Sequence, residues 1–140
     1  MARFPSQEWI DKLVEIATQD DELKGIGKTW TYGGVITVLE PDENFSERWC
    51  AYFLLDKGEV KEAKIISDEK EKKSESAFSI YAKYSVWKGI VKGEIDPIQA
   101  FMRGQIKVDG NVGLLMQYAV FIRKFIDTIR KVPTEFPDEK

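Results

Sequence analysis

The stretch DPIQAFMRGQIKVDGNVGLLMQY, residues 96–118, places two turn signals, one strand pattern and the start of an apolar helix in quick succession. Asp96 followed by Pro97 is typical of a helix start, because aspartate caps the first free N–H groups and proline fits the first turn. The predicted helix ends at Gly104. The next residues, QIKVDG, alternate apolar and polar side chains as a half-buried strand does. The stretch therefore predicts a helix, a strand and a second helix.

The second helix is predicted to run from Val112 to Val132, where Pro133 ends it. Its apolar side chains cover far more than the roughly 100° arc that a surface helix needs. A second side of this helix must therefore be covered by a subunit, a membrane surface or a greasy ligand. Met102 and Met116 favour a ligand, because thioether side chains adapt to variable apolar shapes.

Upstream, an amphipathic helix is predicted from the N-cap Ser6 to about Leu23. Residues rich in aromatic and β-branched side chains follow and predict strands. In the second strand both alternating sets are apolar, which implies that both of its faces are covered. The predicted strands lie at residues 29–40, 48–56 and 59–67, the last two joined by a tight turn at residues 56–58.

The remaining segments complete an α+β pattern. The charged run from Ser67 to Ser76 predicts a solvated loop. A short strand and a helix that ends at Gly93 follow it, and the tail after Pro133 is expected to be extended or frayed. Because strands and helices do not alternate regularly, we expect a single domain over residues 1–140, with helices on one face of a mostly antiparallel sheet.

Composition narrows the class of protein. The 140 residues carry 21 Lys and Arg against 24 Asp and Glu, a formal charge of -3, which argues against a nucleic-acid partner. The single cysteine, Cys50, cannot form an internal disulfide and lies in a strand-like apolar run. Neither a secretory signal nor a membrane-spanning run is recognisable. These features predict a soluble cytoplasmic protein.

The sequence offers little for catalysis. With no histidine, Ser-His-Asp and Cys-His machinery and imidazole-based metal sites are excluded. The acidic run 20–22 is interpreted as solvated surface. The segment GIGKTW fails the spacing of a phosphate-binding loop and is interpreted as a helix end and connector. We therefore expect no enzyme, no cofactor and no metal, and an enzyme that uses carboxylates or Cys50 is the weakest alternative.

The aromatic residues are open to two interpretations, a well-filled core and a cavity that holds a ligand. Four tryptophans and eight phenylalanines put a large apolar volume into a small protein. A well-filled core explains them without any ligand, and composition alone favours that interpretation.

The stretch from residue 96 resembles the signature region of the sterol-carrier-protein family of non-specific lipid-transfer proteins. That signature has an Asn or Asp, a Pro, an Ala and an aromatic, a Gly, an alternating strand, Gly-Asn or Gly-Asp, and an apolar helix. The residues that fall on it in register are Asp96, Pro97, Ala100, Phe101, Gly104, Ile106, Val108, Gly110, Asn111, Leu114 and Met116.

The resemblance implies a five-stranded sheet backed by helices around an apolar tunnel. Such a tunnel takes fatty acyl chains, acyl-CoA, sterols or other lipids, without covalent chemistry. In that fold Gly104 and Gly110 would turn the chain at positive φ, and Gly113 would let the final helix approach the sheet. The candidate ligand-binding residues between sheet and last helix are Phe101, Met102, Ile106, Val108, Leu114, Leu115, Tyr118, Ala119 and Ile122.

The sequence departs from the family pattern at its C-terminus. The final helix is longer than in compact members, so it would cap the tunnel, fill it or form a homodimer. The ending PDEK is not a peroxisomal address. Two functions remain open: a carrier or buffer of hydrophobic ligands with transient membrane contact, and an accessory module that binds a protein partner.

Overall fold

The computed structural model describes residues 1–139 and combines a five-stranded sheet, a two-stranded sheet and six α-helices among those residues. The strands are β1 (Ala2–Arg3), β2 (Gly34–Glu40), β3 (Trp49–Asp56), β4 (Glu59–Ile66), β5 (Ser76–Lys83), β6 (Lys107–Gly110) and β7 (Thr134–Glu135). The helices are α1 (Gln7–Thr18), α2 (Asp21–Ile26), α3 (Tyr84–Lys92), α4 (Pro97–Met102), α5 (Val112–Gln117) and α6 (Ala119–Ile129).

The five-stranded sheet has the order β4-β3-β2-β5-β6. Only β2 and β5 pair in parallel, and the other neighbours are antiparallel. This confirms the predicted α+β class with a mostly antiparallel sheet. The small parallel sheet formed by β1 and β7 was not predicted, since each strand has only two residues.

The two faces of the sheet are covered differently. The inner face carries side chains such as Val35, Thr37 and Ile80, and it lies against α1, α3 and α6. The outer face carries a separate apolar cluster of Ile36, Val38, Cys50, Tyr52 and Ile66. The alternation of β3 explains this arrangement, because successive side chains of a strand point to opposite faces.

The charged segment Ser67–Glu75 is exposed at six of its nine residues, as the prediction of a solvated loop expected, but part of it also lies against the outer face. It forms two short 3-10 turns between β4 and β5. Arg48 Nη2 donates to Glu69 Oε2 over 2.7 Å, and Lys72 Nζ lies 5.2 Å from the centre of the Tyr52 ring. Long charged side chains can cover apolar surface with their stems while their charged ends stay in water, and a composition count does not detect this.

The predicted final helix is two helices that meet at Tyr118, which has φ -101° and ψ 24°. The Tyr118 and Thr29 hydroxyls form a hydrogen bond of 2.9 Å, and the Tyr118 ring meets the Trp30 ring edge-on at 5.0 Å. These contacts hold the residue at the junction in a buried site. The prediction of one continuous helix to Val132 was therefore wrong, because tertiary contacts interrupt the apolar run.

The first predicted helix is also divided. Asp20 lies between α1 and α2 and is the N-cap of α2, since its side chain accepts a hydrogen bond from the Leu23 N–H over 3.0 Å. That bond is the main reason why the pKa of Asp20 lies below its ordinary value. The acidic run 20–22 is thus partly a capping signal and not only solvated surface.

The C-terminal tail is extended at β7, as one of its two predicted forms was, and it is fixed in place, so the other form, a frayed end, was wrong. Phe136 is buried and packs against Phe4 with ring centres 6.0 Å apart. The Tyr84 hydroxyl donates to Asp138 Oδ1 over 2.6 Å, and Lys88 Nζ lies 2.9 Å from Asp138 Oδ2. A buried aromatic ring and a buried hydroxyl therefore hold a segment for which the sequence left extended and frayed structure open.

The turns around β6 follow the sequence in part. Gly104 and Gly110 have φ of 77° and 123°, which confirms the predicted positive angles. At Gly113 an added Cβ would meet only Asn111 Oδ1, at 3.5 Å. The role predicted for Gly113, a close approach of helix to sheet, was therefore wrong. Among residues 1–139, no helix has both the length and the apolar content that a membrane crossing requires.

Candidate functional site

An apolar cavity of about 170 Å³ lies between the inner face of the sheet and the helices. We call it the inner cavity. The sheet contributes Val35, Thr37, Leu39, Trp49, Ala51, Phe53, Leu55, Ile65, Phe78 and Ile80. The N-terminal segment and the helices contribute Phe4, Pro5, Ser6, Trp9, Ile10, Leu13, Trp87, Ile90, Val91, Phe121, Ile122, Phe125, Ile126 and Ile129.

The burial of the central strand shows that the inner cavity is a real gap in packing. On β2 the outward-facing Ile36 and Val38 are both 0% exposed. The inward-facing Val35 and Thr37 are only half-buried, although helices cover that side. In a close-packed layered protein the covered side would be the more buried one. The inner face instead borders free space, which a ligand can occupy.

The local sequence explains why this space stays open. Ala51 lies opposite Thr37 in the antiparallel register, and Ile80 lies opposite Thr37 on its other side. The centre of the inner face thus combines two small side chains with one larger one, while large aromatic side chains stand around them. Phe53, Phe121 and Phe125 form part of that surround, and the Phe53 and Phe125 rings meet edge-on at 6.4 Å.

The polar atoms of the lining are few. Trp9 Nε1 donates to Thr134 Oγ1 over 2.9 Å, and Trp87 Nε1 donates to the Val38 carbonyl over 3.0 Å. Ser6 caps α1 by accepting a hydrogen bond from the Trp9 N–H over 3.0 Å. All the lining residues are uncharged. The inner cavity is therefore suited to hold hydrocarbon, and its lining supplies no acid, base or charged ligand for a reaction.

Cys50 lies on the outer face and not in the inner cavity. It is 2% exposed, and Arg48 Nη1 lies 3.3 Å from its Sγ. Burial raises the pKa of the Cys50 thiol in spite of the nearby guanidinium. A buried thiol with a raised pKa is a poor nucleophile, because the thiolate is the reactive form.

The residues predicted to bind ligand are divided between several places. Ile122 alone among them lines the inner cavity. Phe101, Ile106 and Val108 belong to a neighbouring cluster with Ala82, Ala100 and Ile126.

The other predicted residues lie further along the chain or at the surface. Leu114, Leu115 and Tyr118 are buried in the main core beside the inner cavity. Ala119 is half-buried, and Met102 is 74% exposed. As ligand contacts these residues remain predictions, and the structure brings a different set together around free space.

A sequence signal for that different set existed in β3. The alternating set Trp49, Ala51, Phe53 and Leu55 forms one wall of the inner cavity. The sequence showed that both faces of this strand are apolar, but no pattern showed which face borders helices and which borders the charged segment. The contribution of Phe4 and Pro5 had no signal, because their position depends on the pairing of β1 with β7.

The apolar cavity under the five-stranded sheet has the lining that a site for a hydrophobic ligand requires. The profile of the SCP-2 sterol transfer family matches residues 15–123. The chain therefore belongs to the SCP-2 sterol transfer family. Membership supports a role in binding and transferring lipids or sterols. No curated protein matches the chain in sequence.

Solved structures share the fold at low sequence identity. A conserved hypothetical protein from Thermus thermophilus has a TM-score of 0.80 at 21% identity, over 93% of this chain and 90% of that chain. A crystal structure of sterol carrier protein 2 has a TM-score of 0.77 at 21% identity, over 91% and 97%. Sterol carrier protein 2 from Yarrowia lipolytica, in its apo form, has a TM-score of 0.57 at 15% identity, over 87% and 89%.

Proposed function

We propose that this protein binds hydrophobic ligands in the inner cavity and carries or buffers them without covalent chemistry. The observation that carries the proposal is the apolar space of about 170 Å³ walled by β2, β3, β5 and three helices. Membership of the SCP-2 sterol transfer family supports the same role.

The size of the inner cavity limits what enters it in this conformation. An apolar cavity of about 150 Å³ holds one benzene molecule. The inner cavity of about 170 Å³ therefore admits one ring or a short piece of an acyl chain. Each methylene that it buries contributes about 0.8 kcal/mol to binding. A longer fatty acyl chain, an acyl-CoA or a sterol requires the helices to move apart or part of the ligand to stay outside.

The direct test fills the inner cavity from its centre. Ala51→Leu adds three carbon atoms to a half-buried side chain that lines the space. We expect the affinity for a fluorescent fatty acid to fall at least about tenfold, because the three added carbon atoms displace at least two methylenes of the ligand, each worth about 0.8 kcal/mol. Ala119→Leu is the matched control, because Ala119 is also half-buried but lies outside the lining.

The outcomes separate the observed cavity from the predicted site. Loss of binding in Ala51→Leu alone supports the inner cavity, and loss in Ala119→Leu alone supports the residues predicted from the sequence. If native mass spectrometry of gently purified protein shows only the apo mass and the fluorescent fatty acid does not bind, the carrier function is wrong. Thermal unfolding of both variants checks that they are folded.

A second function, a protein-interaction or homodimerisation module, has its own observation. Val112 and Met116 lie four residues apart on α5 and therefore share one side of that helix, and Val120 follows in the first turn of α6. The three side chains are 37%, 43% and 69% exposed, and we call them the exposed apolar stripe. Val120→Glu is expected to lower the molar mass measured by light scattering if this stripe joins two copies. A monomeric wild-type protein contradicts the homodimer.

The proposal extends to the surroundings of the protein. We propose a single cytoplasmic domain that meets membrane surfaces transiently to exchange ligand and has no nucleic-acid partner. The unpaired, buried Cys50 and the excess of acidic over basic residues, 24 against 21, support this setting. Co-sedimentation with neutral vesicles, with and without a loaded fatty acid, tests the membrane contact.

A further inference from the structure

The hydroxyl of Tyr52 is a buried polar group without a partner. Tyr52 lies on the outer face in β3 and is 0% exposed, and its Oη forms no hydrogen bond within residues 1–139. The Tyr52 ring lies on Gly34, where an added Cβ would come 3.0 Å from Oη. Gly34 has no side chain that could accept or donate. A buried hydroxyl without a partner destabilises the conformation that buries it, because its hydrogen bonds to water are lost.

The charged segment Ser67–Glu75 covers this hydroxyl. Lys72 Nζ lies 5.2 Å from the centre of the Tyr52 ring. A Cβ added at Gly33, just before β2, would come 2.6 Å from the Glu75 carbonyl oxygen, so the end of the segment lies against the start of that strand. Burial raises the pKa of Tyr52, and the nearby Glu75 carboxylate adds to that rise. The closed position of the segment therefore keeps the hydroxyl away from water.

The contacts that hold the charged segment in this position are mainly ionic. Residues 67–75 include no apolar side chain. Arg48 Nη2 lies 2.7 Å from Glu69 Oε2, and Lys73 Nζ lies 3.2 Å from Asp109 Oδ2. The side chains of Lys73 and Asp109 are more than half exposed. Ion pairs at the surface contribute little to stability, and salt screens them. The segment is therefore weakly attached, while the buried hydroxyl opposes its closing.

We propose that the charged segment is a lid that opens and closes over the outer face while both sheets and the helices stay folded. Burial of Ile36 and Val38 beneath it favours the closed form, which predominates. The Tyr52 hydroxyl shifts the equilibrium towards opening, because it bonds to water in the open form. The outer face is thus a second apolar surface, separate from the inner cavity, that the protein covers or exposes. This inference does not depend on the proposed function.

Cys50 is a built-in reporter of the lid. It is the single cysteine of the chain and is 2% exposed on the outer face. Burial raises the pKa of its thiol, and the carboxylates of Asp68 and Glu69, both in the charged segment, add to that rise. The thiolate attacks an aromatic disulfide such as dithiobis(nitrobenzoate) and releases a coloured thiolate. The labelling rate, divided by that of the unfolded chain in the same salt, therefore measures the open fraction.

The test compares two tyrosines of the outer face. We expect Tyr52→Phe to label about tenfold more slowly than the wild-type protein, because its closed form buries no free hydroxyl. Tyr81→Phe is the matched control. Tyr81 packs against the same cluster, and burial together with the Glu69 carboxylate raises the pKa of its hydroxyl, so this hydroxyl has a partner on the lid. We expect Tyr81→Phe to label about fivefold faster, because it loses a hydrogen bond to a charged group.

Salt gives an independent measurement of the same equilibrium. Raising sodium chloride from about 0.01 M to about 1 M shortens the screening length from about 30 Å to about 3 Å. We expect labelling of the wild-type protein to speed up at least about threefold, because the ion pairs that close the lid weaken. A rate that does not rise with salt contradicts the ionic attachment of the lid.

Urea separates opening of the lid from global unfolding. Opening exposes little surface, so labelling should hardly change in dilute urea, whereas a rate set by global unfolding rises steeply. Labelling that follows global unfolding overturns the lid. Equal rates in wild type and Tyr52→Phe overturn the role of the hydroxyl, and so does faster labelling in Tyr52→Phe, which would mean that the hydroxyl is bonded in the closed form. Thermal unfolding of both variants shows that they are folded.

Discussion

The inner and outer faces of the sheet are both covered, but by different kinds of structure. Three helices cover the inner face and leave a cavity of about 170 Å³ beneath them. One short charged segment covers the outer face, yet Ile36, Val38 and Tyr52 under it are all 0% exposed. Helices are thick and rigid, so their side chains meet a sheet at a few ridges, whereas an irregular segment can follow the sheet surface. Helices that cover a sheet therefore need not pack more tightly against it than an irregular segment does.

The prediction with the largest expected effect compares two variants, each of which truncates one isoleucine on one face of the sheet. Ile36 is 0% exposed on the outer face, and Ile80 is half-buried beside the inner cavity on the neighbouring strand. We expect Ile36→Ala to lower the free energy of unfolding by about 4 kcal/mol, because it opens a new cavity in close packing. We expect Ile80→Ala to lower it by about 2 kcal/mol, because fewer contacts surround that side chain.

Urea denaturation followed by circular dichroism measures both values. The two variants remove the same atoms from adjacent strands, so each serves as the control for the other. Equal losses would mean that the inner face is as tightly packed in solution as the outer face. That result would also count against an open cavity.

The next test concerns the attachment of the C-terminal tail to α3, one of the helices that cover the inner face. Tyr84 begins α3, is 0% exposed and donates to Asp138 over 2.6 Å. Although burial opposes it, the hydrogen bonds from Tyr84 and Lys88 hold the pKa of Asp138 below its ordinary value. Asp138→Ala leaves the buried hydroxyl without this acceptor, and we expect a loss of about 2 kcal/mol in unfolding free energy.

Asp138→Asn is the matched control, because its amide oxygen can still accept from Tyr84 while the charge near Lys88 is lost. We expect it to lose less than half as much. Hydrogen exchange of α3 amides adds a local measurement, since a loosened tail should speed exchange there. An unchanged exchange rate in Asp138→Ala would mean that the tail does not fasten the helix.

The sequence predicted the order of the helices and strands better than it predicted which segments cover each face of the sheet. The alternation in β3, the helix start at Asp96 and Pro97, and the positive φ of Gly104 and Gly110 are local signals, and each appears where it was expected. Whether a charged segment lies over a sheet depends on pairings distant in sequence, such as Arg48 with Glu69. Local patterns do not contain that information.

The site was less predictable than the fold for the same physical reason. An apolar side chain that borders free space and one that fills a core have the same sequence pattern. Leu114 and Ile122 both fit the apolar run of the last helix, but only Ile122 reaches the inner cavity. The break at Tyr118 separates them, and it depends on the contacts of Tyr118 with Thr29 and Trp30.

A smaller test loosens the cover of the outer face. The Arg48 guanidinium, which donates to the Glu69 carboxylate over 2.7 Å, lowers the pKa of Glu69 to about 2. Because the folded-state pKa lies below the ordinary value, the stabilisation is present above about pH 4.5 and is lost as the pH falls through about 2. We expect Glu69→Gln to lower the free energy of unfolding by about 1 kcal/mol at pH 7.

The same variant gives a dependence on pH that a general packing defect would not give. The difference between wild type and Glu69→Gln should shrink as the pH falls from 4.5 towards 2, since both side chains are then neutral. Urea denaturation at several pH values measures it. A constant difference over this range would show that the ion pair does not hold the charged segment on the outer face.

The smallest test returns to the centre of the inner face and has the opposite sign. Thr37→Val replaces the hydroxyl that faces the inner cavity with a methyl group of the same shape. We expect the free energy of unfolding to rise by about 0.5 kcal/mol, because a hydroxyl in an apolar lining is replaced by a methyl group. Val38→Thr, the converse change at the 0% exposed neighbour, should instead destabilise the protein by forcing a hydroxyl into close packing. A loss of stability in Thr37→Val would contradict this expectation and would mean that the Thr37 hydroxyl forms a hydrogen bond within the protein.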